Sequence, residues 1–442
     1  MHRDSEVSAG AADHLRGTVL EAMVRGYERE STLGMTAARI GGQPDTTVEI
    51  GGETEWIEGV ERQKDAVERR NRFDLIIVGC GIAGASLAYF LGERGMSDVL
   101  ILEGEEQPGY HATGRSAAVL AEIDTIPSVL PLKLLAASFL REPPPGFAEH
   151  PLLEPSGILV LLQGPAWELA EKFAPGLAGA GVVIEALSPS EILDRVPVLT
   201  PGLFDGGVLL PEDGHIDVHE LLSSYLRHAR RRGAELRTDV KVEGVLVERG
   251  RCVGVVTQTG EIRARRVVNA AGAWAGEIAR LAGAAPIPMH PLRRTAITFS
   301  SPEGVEGADW PLVANESHGL YFAPEADGFL ASPMDEEPSP PCDARPDDLG
   351  VALAIDRLEK QAPSLVPRAL RRKRAGLRTF SPDRGFVVGE DPLVKGFFWL
   401  AGQGGSGIET SPAVGRIAAD LIVDGRSELI DSASLAPARF RE

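Results

Sequence analysis

The sequence predicts an α/β protein: a Rossmann-type dinucleotide-binding domain interleaved with a second, α+β domain built on a mixed or antiparallel sheet. Three observations carry this. Near Phe73 a short apolar run passes straight into a glycine-rich turn and then a helical pattern. A second run of the same kind follows roughly 20 residues later, as a βαβ unit requires. Further strand patterns, some wholly apolar and some alternating, recur as far as residue 401 of the 442.

Leu75-Ile76-Ile77-Val78, after Asp74, is apolar and β-branched, as expected for a strand buried on both faces of a parallel sheet. Gly79-Cys80-Gly81-Ile82-Ala83-Gly84 follows directly. A lone G-x-G-x-x-G is weak, but here it leaves a strand and opens a helix. Gly79 permits the tight turn, Gly81 lets the backbone approach a pyrophosphate, and Gly84 lets the helix pack close to the sheet. The N–H groups around Ile82 and Ala83 then face the phosphates. Ala85 to Arg94 reads as the helix and Asp98 to Leu102 as the second strand. Glu103, followed by Gly104, ends that strand where a carboxylate can accept hydrogen bonds from a ribose diol.

Strand patterns return at 240–248, 253–258, 266–271 and 396–401. The last runs into Gly402-Gln403-Gly404-Gly405-Ser406-Gly407 and a helix from Ser411 to Asp424. The nucleotide-binding domain is therefore expected to comprise 72–154, 208–285 and 375–428. Gly157 to Leu162 and Leu320 to Pro324 are expected strands of the substrate domain, 155–207 and 286–374. Residues 1–71 are polar and glycine-rich, with weak helical patterns at 12–27 and 56–70, and are expected to form a poorly ordered extension; 429–442 is a tail.

Hydrophobic residues make up 43% and charged residues 25%, an ordinary globular balance. The net charge of −19 argues against a nucleic-acid partner, since nothing would neutralise phosphates along a duplex. No apolar run approaches the roughly 18 residues of a spanning helix, and no secretory h-region opens the chain. Cys80, Cys252 and Cys342 make no disulfide framework and have no metal-ligand spacing. A cytoplasmic protein without a metal centre is the expectation.

The stretch after Glu103 favours FAD over NAD. The chain does not enter a third strand and helix but a small-residue loop, Gly109-Tyr110-His111-Ala112-Thr113-Gly114-Arg115-Ser116-Ala117-Ala118, able to wrap a flavin ring. With one fingerprint only, a held flavin without a separate nicotinamide site is the simpler reading.

The βαβ unit, this loop, Gly214-His215-Ile216-Asp217, Val268-Asn269-Ala270-Ala271-Gly272-Ala273-Trp274 and the glycine turn at 402–405 together resemble the D-amino-acid oxidase superfamily. That superfamily includes glycine and sarcosine oxidases and L-2-hydroxyglutarate dehydrogenase. Within it, Pro144-Pro145-Gly146-Phe147, Arg293-Arg294-Thr295-Ala296, Asp309-Trp310-Pro311 and Ala375-Gly376-Leu377-Arg378 are similar to bacterial D-arginine dehydrogenases. The likeness spans about 72–425.

The resemblance implies roles that the residues alone do not. Arg294 and Arg378 would hold a substrate carboxylate, a task suited to the planar guanidinium fork. By themselves, arginines with Arg293, Arg371, Arg372 and Arg374 for neighbours read as solvated. Tyr321 would hydrogen-bond or cover the carboxylate, and Ser116 would stand beside the reactive flavin edge. His111, Thr113, Gly114, Arg115, Val242, Ala271, Gly272 and Trp274 would contact the cofactor, with Gly402, Gly404, Gly405, Ser406, Gly407 and Ile408 at its pyrimidine end. Some members attach flavin through a histidine in a loop like that of His111; D-arginine dehydrogenases do not, so non-covalent FAD is expected.

The implied reaction is hydride transfer from the α-carbon of a small amino acid, of D configuration, to flavin N5. The imine formed hydrolyses to a 2-oxo acid and ammonia. The side-chain pocket departs from that pattern: Val119, Asp124 and Ile158 stand where D-arginine dehydrogenases have histidine, tyrosine and a glutamate gripping the guanidinium. Losing that glutamate leaves a buried guanidinium unpaired, so a less polar amino acid is expected, unless Asp124 turns inward to replace it. Glycine- or sarcosine-type oxidation, a 2-hydroxy acid, and a flavin-binding accessory subunit stay open, as does the electron acceptor: oxygen, a quinone or a protein.

Overall fold

The computed structural model describes residues 71–441 except 180 and 327. The extension and its two helical patterns lie outside the described residues.

The first layer is a sheet whose centre is Arg72–Val78, paired in parallel with Val99–Leu102 on one side and with the second half of Gly260–Asn269 on the other. Glu235–Arg237 and Phe397–Ala401 extend this parallel set at its two ends. Gly260–Asn269 changes partner along its length. Its first residues pair antiparallel with Arg251–Thr257, which pairs antiparallel with Val242–Glu248.

The period-2 alternation of the central strand sorts its side chains into two cores. Leu75 and Ile77 face the helices Ile82–Glu93, Val218–Arg231 and Ser411–Asp424; Ile76 and Val78 face the helix Ala275–Ala282 and the antiparallel meander. Each of these fully buried aliphatic side chains contributes about 1.5–3 kcal/mol, which is why the run carries no polar residue.

The second layer is a mixed ten-stranded sheet. In spatial order its path is Gln403–Gly404, Arg372–Phe380, His290–Ser300, Gly328–Ser332, Leu320–Glu325, Leu312–Asn315, Ile158–Leu162, Gly206–Leu210 and Glu185–Leu187. All neighbours are antiparallel except Leu312–Asn315 with Ile158–Leu162. One face carries Leu159, Leu161, Leu320 and Phe322 against the helix Asp348–Gln361; the other presents Ile158, Val160 and Tyr321 to a cavity. The divisions expected at 207/208 and 374/375 fall inside Gly206–Leu210 and Arg372–Phe380, whose ladders keep each strand whole in this sheet. Among the described residues no helix is long and apolar enough to cross a membrane.

Candidate active site

Two adjoining cavities lie where the layers meet. The first, about 540 Å³, begins at the glycine turn. Gly79 takes φ +103°, and a Cβ there would lie 2.5 Å from the Ala270 carbonyl oxygen. A Cβ on Gly84 would lie 2.0 Å from the Gly79 carbonyl oxygen. Both glycines are thus required for the helix Ile82–Glu93 to start directly on the strand. No side chain of its own N-cap residue, Gly81, satisfies that helix; Thr113 Oγ1 instead accepts the Ile82 N–H at 3.0 Å from the following loop. Glu103 accepts the Cys80 N–H at 2.8 Å and the Glu105 N–H at 3.1 Å, so its carboxylate holds the turn closed while lining the cavity.

The other expected cofactor residues gather around the same space. Gly81, Ile82, Ala83 and Gly104 line the end near the turn, and Val242 a side wall. Ala271, Gly272 and Trp274 line it from a turn that buried Asn269 anchors by donating to the Ala275 carbonyl at 2.8 Å. His111 packs on Trp274 with ring centroids 4.6 Å apart, and its Nε2 bonds Glu105 at 3.0 Å. Arg115 lines the wall but spends its guanidinium on the protein, donating to the carbonyls of Ala344 and Tyr110 and pairing with Asp343. Gly402, Gly404, Gly405, Gly407 and Ile408 close the far end. Three expected contacts lie off this lining. Gly84 packs on Gly79, Gly114 packs on the Gly109 carbonyl, and Ser406 lines the second cavity. A cradle of backbone closed to any Cβ, a helix N-terminus and a chamber running to a second glycine turn together fit FAD.

The second cavity is larger, about 1530 Å³. Ser116, Arg294, Arg378, Gly405 and Ile408 line both chambers and so form their junction. Ser116 Oγ accepts the Ala118 N–H at 3.0 Å. Arg294 and Arg378 lie on adjacent antiparallel strands, with Gly376 opposite Arg294 and Arg378 two residues further on. They are diagonal neighbours on one face, and a Cβ on Gly376 between them would meet the Arg115 Cβ at 3.4 Å.

Arg294 is 9% exposed. Its Nε donates to the Asp335 carbonyl at 2.8 Å and one terminal nitrogen to Glu336 at 3.2 Å, while Nη1 is buried with no partner. Burial first, then the nearby Arg378 guanidinium, pushes the Arg294 pKa down. Arg378 makes no hydrogen bond or ion pair among the described residues, and the Tyr321 hydroxyl likewise has no hydrogen-bond partner. Two adjacent guanidinia thus offer more donors than Glu336 and the Asp335 carbonyl use, one of them a buried donor.

One feature of this cavity was not anticipated. Lys133 is buried on the helix Leu130–Arg141; its ammonium meets Asp124 at 2.9 Å, Glu409 at 3.1 Å and the Ile123 carbonyl at 3.0 Å. Burial opposes its charge, but the two carboxylates outweigh it and raise its pKa. The signal was a single lysine within Leu130-Pro131-Leu132-Lys133-Leu134-Leu135. Asp124 does line the cavity, but Lys133 and the Ile126 N–H at 2.8 Å occupy its carboxylate, so it does not replace the missing glutamate.

Comparison with known proteins agrees with this construction. Bovine FAD-dependent oxidoreductase domain-containing protein 1 is 27% identical over 425 residues, covering 84% of this chain and 85% of that protein. Mouse mitochondrial dimethylglycine dehydrogenase is 26% identical, across 87% of this chain but 46% of its own length. Among solved structures, L-proline dehydrogenase from P. horikoshii superposes with a TM-score of 0.74 at 25% identity, covering 84% of this chain and 98% of that one. The narrower likeness to D-arginine dehydrogenases finds no support in these relatives. The family described as FAD dependent oxidoreductase (DAO) matches residues 74–421, from the first strand through most of the last helix, and this chain belongs to it.

Proposed function

We propose that this chain oxidises the carbon–nitrogen bond of an amino acid, with N-methylated glycines as the first substrate class. The carrying observation is the arginine pair at the junction: Arg294 with a buried, unpartnered Nη1, and Arg378 beside it. A substrate carboxylate placed between them would satisfy that donor and counter the burial and the Arg378 repulsion that lower the Arg294 pKa. It would also set the carbon next to the nitrogen at the chamber shared with the cofactor. FAD, when bound, supplies the hydride acceptor.

The chain's own residues would then do three things. Arg294 and Arg378 fix the carboxylate, Tyr321 covers it from the sheet, and Ile408 and Gly405 shape the junction so that the C–H bond is presented at short range. No dedicated base is required if the amine binds neutral. The kinship with dimethylglycine dehydrogenase supports the N-methylated class. The matched positions of Arg294, Arg378 and Tyr321 support a second reading, a D-amino acid. Anaerobic mixing of the flavin-loaded protein with sarcosine, dimethylglycine and matched D- and L-amino acids tests both. Bleaching by the N-methylated glycines is expected; bleaching by a 2-hydroxy acid but by no amino acid would overturn the reading.

A further inference from the structure

The second cavity is far too large for the substrates just named. At about 1530 Å³ it exceeds the roughly 300–1000 Å³ usual for small-molecule sites, and an N-methylated glycine is a handful of atoms. One stretch of its wall is hydrocarbon. Val119, Ile123, Ile158, Val160, Leu312 and Ala314 line it, several of them from the sheet face opposite the Asp348–Gln361 helix. Leu169, 56% exposed on the helix Pro165–Gly179, lines the same cavity, so this apolar wall reaches the protein surface.

Charged groups line it as well; Glu316, at the exposed rim, has no side-chain partner among the described residues, and several others are committed. The Lys133 ammonium uses its three donors on Asp124, Glu409 and the Ile123 carbonyl, and Glu409 also accepts the Ala121 N–H at 2.9 Å. Lys360 pairs with Asp356 at 2.7 Å, and Arg357 donates to the Gly319 carbonyl at 2.6 Å. A charged substituent lying along the hydrocarbon stretch would stay unpaired there, and an unpaired charge against such a wall is expensive.

We infer that the substrate is an amine-bearing carboxylate with a large, uncharged, apolar substituent, such as a long alkyl or aralkyl group. This rests on the reading of Arg294 and Arg378 as the carboxylate clamp. The head is held at the junction, and the tail lies along Val160 and Ala314, which are register partners on adjacent strands. Only the head needs directional bonds; the tail is selected by the water it leaves behind.

The test is a ladder of substrates offered to the flavin-loaded protein: sarcosine, N-propyl-, N-hexyl- and N-benzylglycine. A parallel series carries the substituent on the α-carbon, as D- and L-alanine, norleucine and phenylalanine. D-Arginine and N-(4-aminobutyl)glycine are the cationic arms. The specificity constant should rise about four-fold per buried methylene, so by on the order of 1000-fold from sarcosine to N-hexylglycine and about 60-fold from alanine to norleucine. Ala314→Phe and, independently, Val160→Phe fill the channel and should shrink the long-to-short ratio at least ten-fold. A flat ladder with active short rungs, or cationic substituents ahead of apolar ones, overturns this inference alone. Failure of every carboxylate-bearing amine, short or long, overturns the clamp and this inference together.

Discussion

Gly405→Ala is the mildest change that should disturb the carboxylate clamp. A Cβ on Gly405 would lie 2.9 Å from Nη1 and 3.0 Å from Cζ of Arg378, and the three nearest atoms it would meet all belong to that guanidinium. Comfortable contact needs about 3.5–4.0 Å, so the guanidinium must retreat by roughly 0.5–1 Å. It sits at the end of a flexible side chain, and Gly405 is not in the left-handed region, so the fold absorbs the alanine. A Gly→Ala change at a compatible position alters stability by about 1 kcal/mol or less. Misplacing one charge-assisted bond to a carboxylate costs about 1.5–3 kcal/mol, equivalent to about 10- to 100-fold in kcat/KM. Steady-state kinetics with the best substrate, alongside thermal melting and flavin content, reads all three quantities. The clamp would be refuted by unchanged kcat/KM at full flavin content. Collapse of the fold or loss of flavin would refute the claim that only the guanidinium moves.

Gly84→Ala should behave oppositely. Its Cβ would meet the backbone oxygen of Gly79 at 2.0 Å, which cannot swing aside, so the purified variant is expected to lack flavin and to melt well below the parent. The flavin of the parent protein should pass into the supernatant on acid precipitation, because His111 is committed to Glu105 and Trp274; flavin retained with the pellet would contradict non-covalent binding. Asp383 gives a pH prediction. Arg439, with help from Ser381 and the Gly385 N–H, holds its carboxyl at about 2 against an ordinary 3.8. A depressed folded pKa contributes stability above the ordinary value and loses it as pH falls from about 4 to 2. Asp383→Asn should therefore flatten the acid limb of a denaturation profile over that window and leave neutral activity unchanged.

Much of the nucleotide-binding layer was legible because local chemistry dictates it. The apolar run, the three glycines and the carboxylate at Glu103 each answer a backbone or ligand requirement. The last helix lies over Ser411–Asp424 as its periodicity indicates. The first begins at Ile82 rather than Ala85, because Gly84 belongs to the helix despite its low propensity and is kept there by the close approach to Gly79. The strand Gly206–Leu210 straddles an expected boundary, since pairing with Ile158–Leu162 is a long-range event that no local pattern announces. The meeting of Arg294 and Arg378 depends on antiparallel register between strands far apart in sequence; the resemblance supplied it, and periodicity alone did not. The Asp124–Lys133–Glu409 cluster joins two segments far apart in sequence, Asp124 and Lys133 on one and Glu409 on the other. Only the lone lysine in an apolar helix hinted at it.

The most direct test is equilibrium binding of a carboxylate that cannot be oxidised. Phenylacetate, titrated into the flavin-loaded protein and followed by perturbation of the flavin spectrum, should bind saturably to the parent protein. It should bind at least ten-fold more weakly to Arg378→Met and to Arg294→Met at equal flavin content. Equal affinity for all three proteins, or tighter binding of the uncharged phenylacetamide by the parent, would show that the arginine pair at the junction does not hold the substrate's carboxylate.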